Sequence, residues 1–302
     1  MRKNLIRILI FVSIYIFAPF IITLCMSGNK GKETKPETEG NVDSRKTSVP
    51  EYSSVTEFVT GTVAAYYEAG KSAEFLKVMA VVARTYVECI EKNGAESIPA
   101  DFALLYMTEQ EMRKEWQQNY EKNKQLLDSI VSEAADKVIT MNGSPIIPFV
   151  HRISAGSTRN GREEYLNMIK CEEDIDAEEY LTKVRISEAE LEKRLKNKYG
   201  KLDYGDSAVG SIQILSRDEA GYIIELMAGG ITMTGDELAD IASLPSSNFS
   251  VGREGDECIF VVRGKGSGYG ISLYDADKKA TAGMNYMDII NCYFKNIAIE
   301  NV

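Results

Sequence analysis

The chain has 302 residues, 44% of them hydrophobic and 26% charged, the balance of an ordinary globular protein with room for one large domain or two small ones. Its formal net charge of −10 speaks against a nucleic-acid partner, because phosphate binding needs clustered Lys and Arg.

The N-terminus departs from this average. Arg2, Lys3 and Arg7 precede an apolar run over 8–26, broken only by Ser13, Pro19 and Thr23. That length suffices to span a bilayer, and the flanking cations favour a cytoplasmic N-terminus. No A-x-A-type cleavage site stands out, so 1–26 is read as a retained signal anchor. Cys25 follows a bulky Leu24 where a lipobox wants a small residue. Residues 27–50 are polar, without a hydrophobic period, and read as a flexible linker. The remainder, 51–302, is expected outside the cytoplasm, as one domain.

In that domain, helix starts are marked by Ser54/Glu57, Thr108/Glu111, Ser187/Glu190 and Thr234/Glu237. Each pair fits the capping box, in which hydroxyl and carboxylate satisfy opposing N–H groups. Helices are predicted at about 55–66, 73–92, 109–136, 188–198, 235–243 and 285–298. Strands cluster after residue 137. Asn142-Gly143 suits a type I′ hairpin turn between 138–141 and 144–150. Further strand pairs are expected at 211–215 with 222–227 and at 249–251 with 258–262. Helices first and antiparallel strands later indicate an α+β fold. Residues 171–205, dense in Glu, Asp and Lys, read as a small, solvated, charged helical insert. Cys89, Cys171, Cys258 and Cys292 are widely spaced, and no pairing follows from sequence; buried free thiols are the simpler reading.

The segment 63–86 is the most informative. Tyr66 and Tyr67 precede a helix that is apolar nearly all round except for Lys77 and Arg84, seven apart and so on one face. A buried cation is costly unless it is paired or opens onto a wet cleft. The segment is therefore either the floor of a site or a core helix with internal ion pairs.

This segment resembles, without gaps, the V-A-A-E-M-P-x(6)-L-K-A-x-A-V-A-A-R-T-Y pattern of the sporulation protein D family of peptidoglycan lytic transglycosylases. The resemblance continues through Glu109–Trp116, the hairpin over 138–147, the stretch His151-Arg-Ile-Ser154-Ala-Gly156-Ser-Thr158-Arg-Asn160, and the segment 230–249 that leads to the last strands. It then takes in Gly264-Lys-Gly266-Ser-Gly268-Tyr269-Gly270 and the closing helix over 286–294. Coverage runs from about residue 57 to 299, in the family's order.

The resemblance implies cleavage of the bond between N-acetylmuramic acid and N-acetylglucosamine, leaving a 1,6-anhydro end. One glutamate serves as acid and then as base, with its pKa raised by apolar surroundings. In this chain that position is Tyr66, whose phenol ordinarily titrates near 10 and is a poor acid or base at neutral pH. Glu68 is the nearest carboxylate and the alternative catalytic residue. The glycine-rich segment departs too: Tyr269 stands for the family's His, two residues are missing after Gly270, Leu273 replaces a Gln and Asp275 a Gly. His151 reads as a hydrogen-bonded residue shaping the cleft, or else as a substrate contact. Some relatives bind zinc with His and Cys near this segment, but no Cys lies near His151 in sequence, so neither metal nor cofactor is expected. No G-x-S-x-G elbow supports a serine hydrolase at Ser154 or Ser157.

The resulting expectation is a single-pass membrane protein whose α+β domain binds peptidoglycan glycan strands with weak or no cleavage. Tyr66, Tyr67, Lys77, Arg84, His151, Ser154, Gly268, Tyr269, Gly270, Ser272 and Tyr274 are expected to line the groove. The alternatives are an active lytic transglycosylase using Glu68, and a non-catalytic structural partner in an engulfment complex. By resemblance, partners include the sporulation amidase P and the membrane protein M.

Overall fold

A computed structural model describes residues 52–302 except 69, 101, 201 and 206. The predicted anchor and linker over 1–50 lie outside the described residues. Among those described, no helix is long and apolar enough to cross a membrane.

The fold is α+β with mainly antiparallel sheets. Helices α1 (Val55–Ala65) and α2 (Ala73–Asn93) pack together as the centre of a first core. Ser54 and Ser72 cap them, each hydroxyl accepting an N–H of the first turn. On α2, twelve residues from Phe75 to Cys89 are buried, which accounts for its nearly continuous apolar sequence. The expected helix over 109–136 is broken into α3 (Glu109–Trp116) and α4 (Tyr120–Ala134) by a turn at Gln117 with φ 46°. The break lets both Trp116 and Tyr120 enter the core. Strand β1 (Lys137–Met141) pairs with β2 (Ser144–Pro145) across Asn142-Gly143, both at positive φ as a type I′ turn requires. Its other edge pairs with β11 (Ala298–Asn301), and the closing helix expected over 285–298 ends earlier, as α8 (Tyr286–Tyr293).

A second core lies among β4 (Leu181–Ser187), α5 (Glu188–Tyr199), β5 (Gln213–Arg217), β6 (Ile223–Ala228), β7 (Ile231–Met233), α6 (Gly235–Ala242), β8 (Phe249–Glu254) and β9 (Glu257–Arg263). Strand order is β4-β9-β8 in one sheet and β5-β6-β7 in the other. The charged stretch 171–205 differs from the expected solvated helical insert. Cys171 and Asp174 are fully buried, and 181–187 is a strand in register with all of β9. Lys183 and Arg185 face outward, while Ile186 joins Leu191 and Leu195 of α5 in the core. The charges belong to one face of elements whose other face is apolar.

Two short strands, β3 (Val150–His151) and β10 (Ile271–Ser272), pair in parallel and set the candidate site. Helix α7 (Leu273–Thr281), not anticipated from sequence, follows β10 directly.

Candidate functional site

The parallel pair puts His151 opposite Ser272, so both side chains leave the same face of the ribbon. Ser272 Oγ donates to the Asp174 carboxylate at 2.7 Å, and the Ser154 N–H donates to it at the same distance. Asp174 thus fastens three distant segments. Burial holds its carboxyl above the usual range, although the Ser154 and Ser272 bonds oppose that shift. Beside it, Asp275 is fully buried and accepts from Tyr293 and Lys279, leaving Oδ1 without a partner among the described residues.

His151 Nδ1 lies 3.0 Å from the Tyr269 carbonyl. A carbonyl only accepts, so Nδ1 carries the proton. Burial lowers the imidazole pKa to about 4, against weaker opposing contributions from that hydrogen bond and from Asp275. The ring is therefore neutral at ordinary pH, with a bare Nε2 that meets no partner among the described residues. Ser154 Oγ accepts from the Gly156 N–H rather than facing His151, so there is no Ser–His dyad.

The glycine-rich loop is held from beneath by Arg159, a residue within the motif starting at His151 to which sequence reasoning gave no role. Its guanidinium lies 4.7 Å from the Tyr269 ring centroid and 4.8 Å from that of Tyr222. It pairs with Asp218 at 2.7 Å and Asp236 at 3.2 Å, and its backbone N–H donates to the Gly268 carbonyl. Two carboxylates and two aromatic faces explain how an arginine only 5% exposed is tolerated. Gly268 and Gly270 sit at φ 81° and 70°, and a Cβ would lie 2.6 Å from Tyr222 and 2.0 Å from the Phe149 carbonyl. Their close approach is to the protein itself. Tyr274 is tied by its N–H to the Arg152 carbonyl and lies under Lys278.

The residues of the 63–86 segment stand apart from this group. Tyr66 caps the end of α1, and its hydroxyl accepts the Leu105 N–H at 3.3 Å. Burial raises its pKa, partly offset by that bond. Tyr67 donates to Asn123 at 3.2 Å and meets Trp116 edge-on. Glu68 is exposed beyond the helix end. Lys77 pairs with Glu74 at 2.8 Å and Glu133 at 2.6 Å; burial lowers its pKa, but the two carboxylates outweigh it and the net shift is upward. Arg84 pairs with Glu88 at 3.0 Å. Of the two readings open for this helix, internal ion pairing is what the geometry displays for both cations. The link between the groups is aromatic: Tyr86 meets Phe102, Phe102 meets Phe149, and Phe149 meets Tyr269.

Asp174, Asp275, Arg159 and Tyr222 carried little signal in sequence. Asp174 was hidden in a charge run, and Asp275 was noticed only as a replaced glycine. Among the described residues, no cluster of three or more His, Cys, Asp or Glu is arranged to hold a metal ion.

A family model for stage II sporulation protein (SpoIID) matches residues 43–141, a span that includes α1, α2 and Tyr66. The stage II sporulation protein D of Bacillus subtilis (strain 168) is 27% identical over 292 residues, covering 88% of this chain and 83% of that protein. Its counterpart from Bacillus amyloliquefaciens is 26% identical over 299 residues, covering 90% and 85%. Identity at this level along most of both chains, with the family model on the leading helices, makes the chain a divergent member of the stage II sporulation protein D family.

Proposed function

We propose that this protein serves sporulation-related cell-wall remodelling by binding peptidoglycan glycan strands, with little or no cleavage of its own. The observation that carries the reading is Tyr66. At the position where the family resemblance puts the acid/base glutamate, this chain has a phenol pushed upward by burial and engaged with Leu105. Such a group neither protonates a glycosidic oxygen nor removes a hydroxyl proton at neutral pH. Glu68 is exposed and lacks the apolar surroundings that a catalytic acid needs. The retained scaffold, with Tyr269 presented over Arg159, supplies an aromatic face for a sugar ring.

The proposal includes a membrane tether through 8–26 and an extracytoplasmic domain, with the sporulation amidase P and membrane protein M as partners. The full-length protein in non-ionic detergent, incubated with purified sacculi, is expected to sediment with them and to release no 1,6-anhydro muropeptides by mass spectrometry. Anhydro products that vanish in Glu68→Gln would show an active transglycosylase instead. Failure to sediment would leave a structural partner without glycan affinity.

A further inference from the structure

Arg217 and Arg263 are both exposed, and both reach the same short piece of backbone. Arg217, at the end of β5, donates from Nη1 to the Gly221 carbonyl and from Nη2 to the Phe249 carbonyl, each at 2.7 Å. These two bonds fix its guanidinium at the start of β8. Arg263 ends β9, and its N–H donates to the Asn248 carbonyl at 2.8 Å. Its neighbour Val262 pairs with Phe249. The two side chains therefore flank Asn248–Phe249 at the junction of the two sheets.

Neither guanidinium meets a carboxylate among the described residues. Of the other exposed arginines, Arg113, Arg152, Arg185 and Arg253 each have one; Arg162 has none among the described residues, but no second unpaired arginine is coupled to it as Arg263 is to Arg217. The nearest acid in sequence, Asp218, is committed: Oδ2 accepts from Arg159 and Oδ1 from the Tyr222 N–H at 2.9 Å. Burial first, and then the Arg263 charge, pull Arg217 below its ordinary pKa against an opposing pull from Asp218, so the two cations feel each other. In a chain of net charge −10, two mutually repelling cations whose one charge relief comes from the already committed Asp218 carry an electrostatic cost that a further anion would lower.

We propose that Arg217 and Arg263 form a binding site for an oxyanion, a carboxylate or phosphate borne by the wall polymer. Guanidinium N–H groups match the oxygens of either anion, and each Arg217 Nη keeps a second hydrogen beyond its backbone bond. Arg263 engages none of its side-chain hydrogens with the described residues. Leu181, its register partner on β4, is 58% exposed and offers an apolar flank to whatever carries the anion. The assignment to a wall polymer rests on the glycan-binding reading above; the anion chemistry does not.

The experiment uses full-length protein labelled with 15N-arginine in non-ionic detergent. It is titrated with inorganic phosphate and with acetate at constant ionic strength. The Nε–H signals of Arg217 and Arg263, assigned with Arg217→Gln and Arg263→Gln, are expected to shift together and saturate. Arg263→Gln, which breaks no hydrogen bond within the protein, is expected to weaken phosphate binding at least about tenfold. Signals that follow ionic strength without saturating overturn the site. Arg263→Glu supplies the missing carboxylate, so it is expected to raise the melting temperature and abolish phosphate binding; an unchanged melting temperature also overturns it. Two competitors identify the source. Loss of competition when the carboxyl groups of a disaccharide-tetrapeptide are amidated points to peptide carboxylates, and competition by poly(glycerol phosphate) points to a phosphate polymer. If neither competes, the site does not serve the wall. Binding of uncharged chitotetraose is read separately: its absence removes the glycan reading and leaves the anion site standing.

Discussion

The hydroxyl of Tyr66 accepts the backbone N–H of Leu105, so the loop segment 102–107 is fastened to the end of α1. A second tie, from the Met107 N–H to the Gly61 carbonyl, holds the far end of the same loop. Tyr66 therefore has a structural task. Tyr66→Phe is expected to cost about 1 kcal/mol locally, seen as roughly fivefold faster hydrogen exchange at Leu105 with global stability nearly unchanged. Unaltered exchange at Leu105 would mean that the bond does not hold the loop.

Arg159→Met is expected to be among the most damaging single changes. It leaves the Asp218 carboxylate without its cation and removes the support beneath Tyr269. Breaking a buried pair from one side typically costs about 3–5 kcal/mol. Arg159→Lys keeps the charge but not the planar stack, and is expected to recover only part of the loss in urea denaturation. Equal stability of the two variants would place the whole effect in the charge.

Acid lability follows from His151. Its pKa falls from 6.5 in the unfolded chain to about 4 in the folded one. Between those values the unfolded state binds the proton and the folded state does not, so stability drops as pH falls from 6.5 towards 4. The contribution approaches about 3 kcal/mol at the acid end. His151→Gln is expected to flatten this part of the stability profile relative to wild type; parallel profiles would contradict the assignment.

Two glycines with similar φ separate conformational strain from steric clash. Gly143→Ala, at φ 75° with nothing within 4 Å, is expected to cost about 1 kcal/mol. Gly270→Ala drives a Cβ to 2.0 Å from the Phe149 carbonyl and must part β3 from β10. More than about 3 kcal/mol is expected, measured by the same urea transitions.

Cys89, Cys171 and Cys258 are buried free thiols, whereas Cys292 is only half-buried. Burial raises Cys171 and brings Cys258 up to about 11. Within the described residues, a thiol reagent at neutral pH is expected to label Cys292 first and the other three only at the rate of unfolding.

Much of this architecture was legible in residue order. The boxes at Thr108/Glu111 and Thr234/Glu237 form in full, with hydroxyl and carboxylate bonding reciprocally. At Ser54 the hydroxyl caps as expected, but Glu57 reaches back to the Ser53 N–H instead. What escaped notice did so for physical reasons. No glycine or proline announces the break at Gln117; packing of Trp116 and Tyr120 imposes it. In β4 the alternation of Leu181, Lys183 and Arg185 with Val184 and Ile186 was present, but charge density masked the period of two. The groove was harder still. Cations seven apart share a helix face, yet periodicity does not say whether that face meets water or Glu133 and Glu88. Asp174 and Arg159 acquire meaning only when segments far apart in the chain meet.

That last property bears on how the molecule comes into being. The bond from Ser272 to Asp174 spans 98 residues, whereas the carboxylate's other partner, the Ser154 N–H, lies only 20 residues away. A chain emerging from the ribosome therefore carries Asp174 for a third of its length before the serine that ties it to β10 has been synthesised. Until then the β3–β10 ribbon does not exist, and His151 has no Tyr269 carbonyl to bond. The first core can begin to gather from α1, α2 and α4, whose mutual contacts span less of the chain than the Ser272–Asp174 bond, while the floor beneath the glycine-rich loop closes last. Substitutions there are expected to speed unfolding rather than slow the initial collapse.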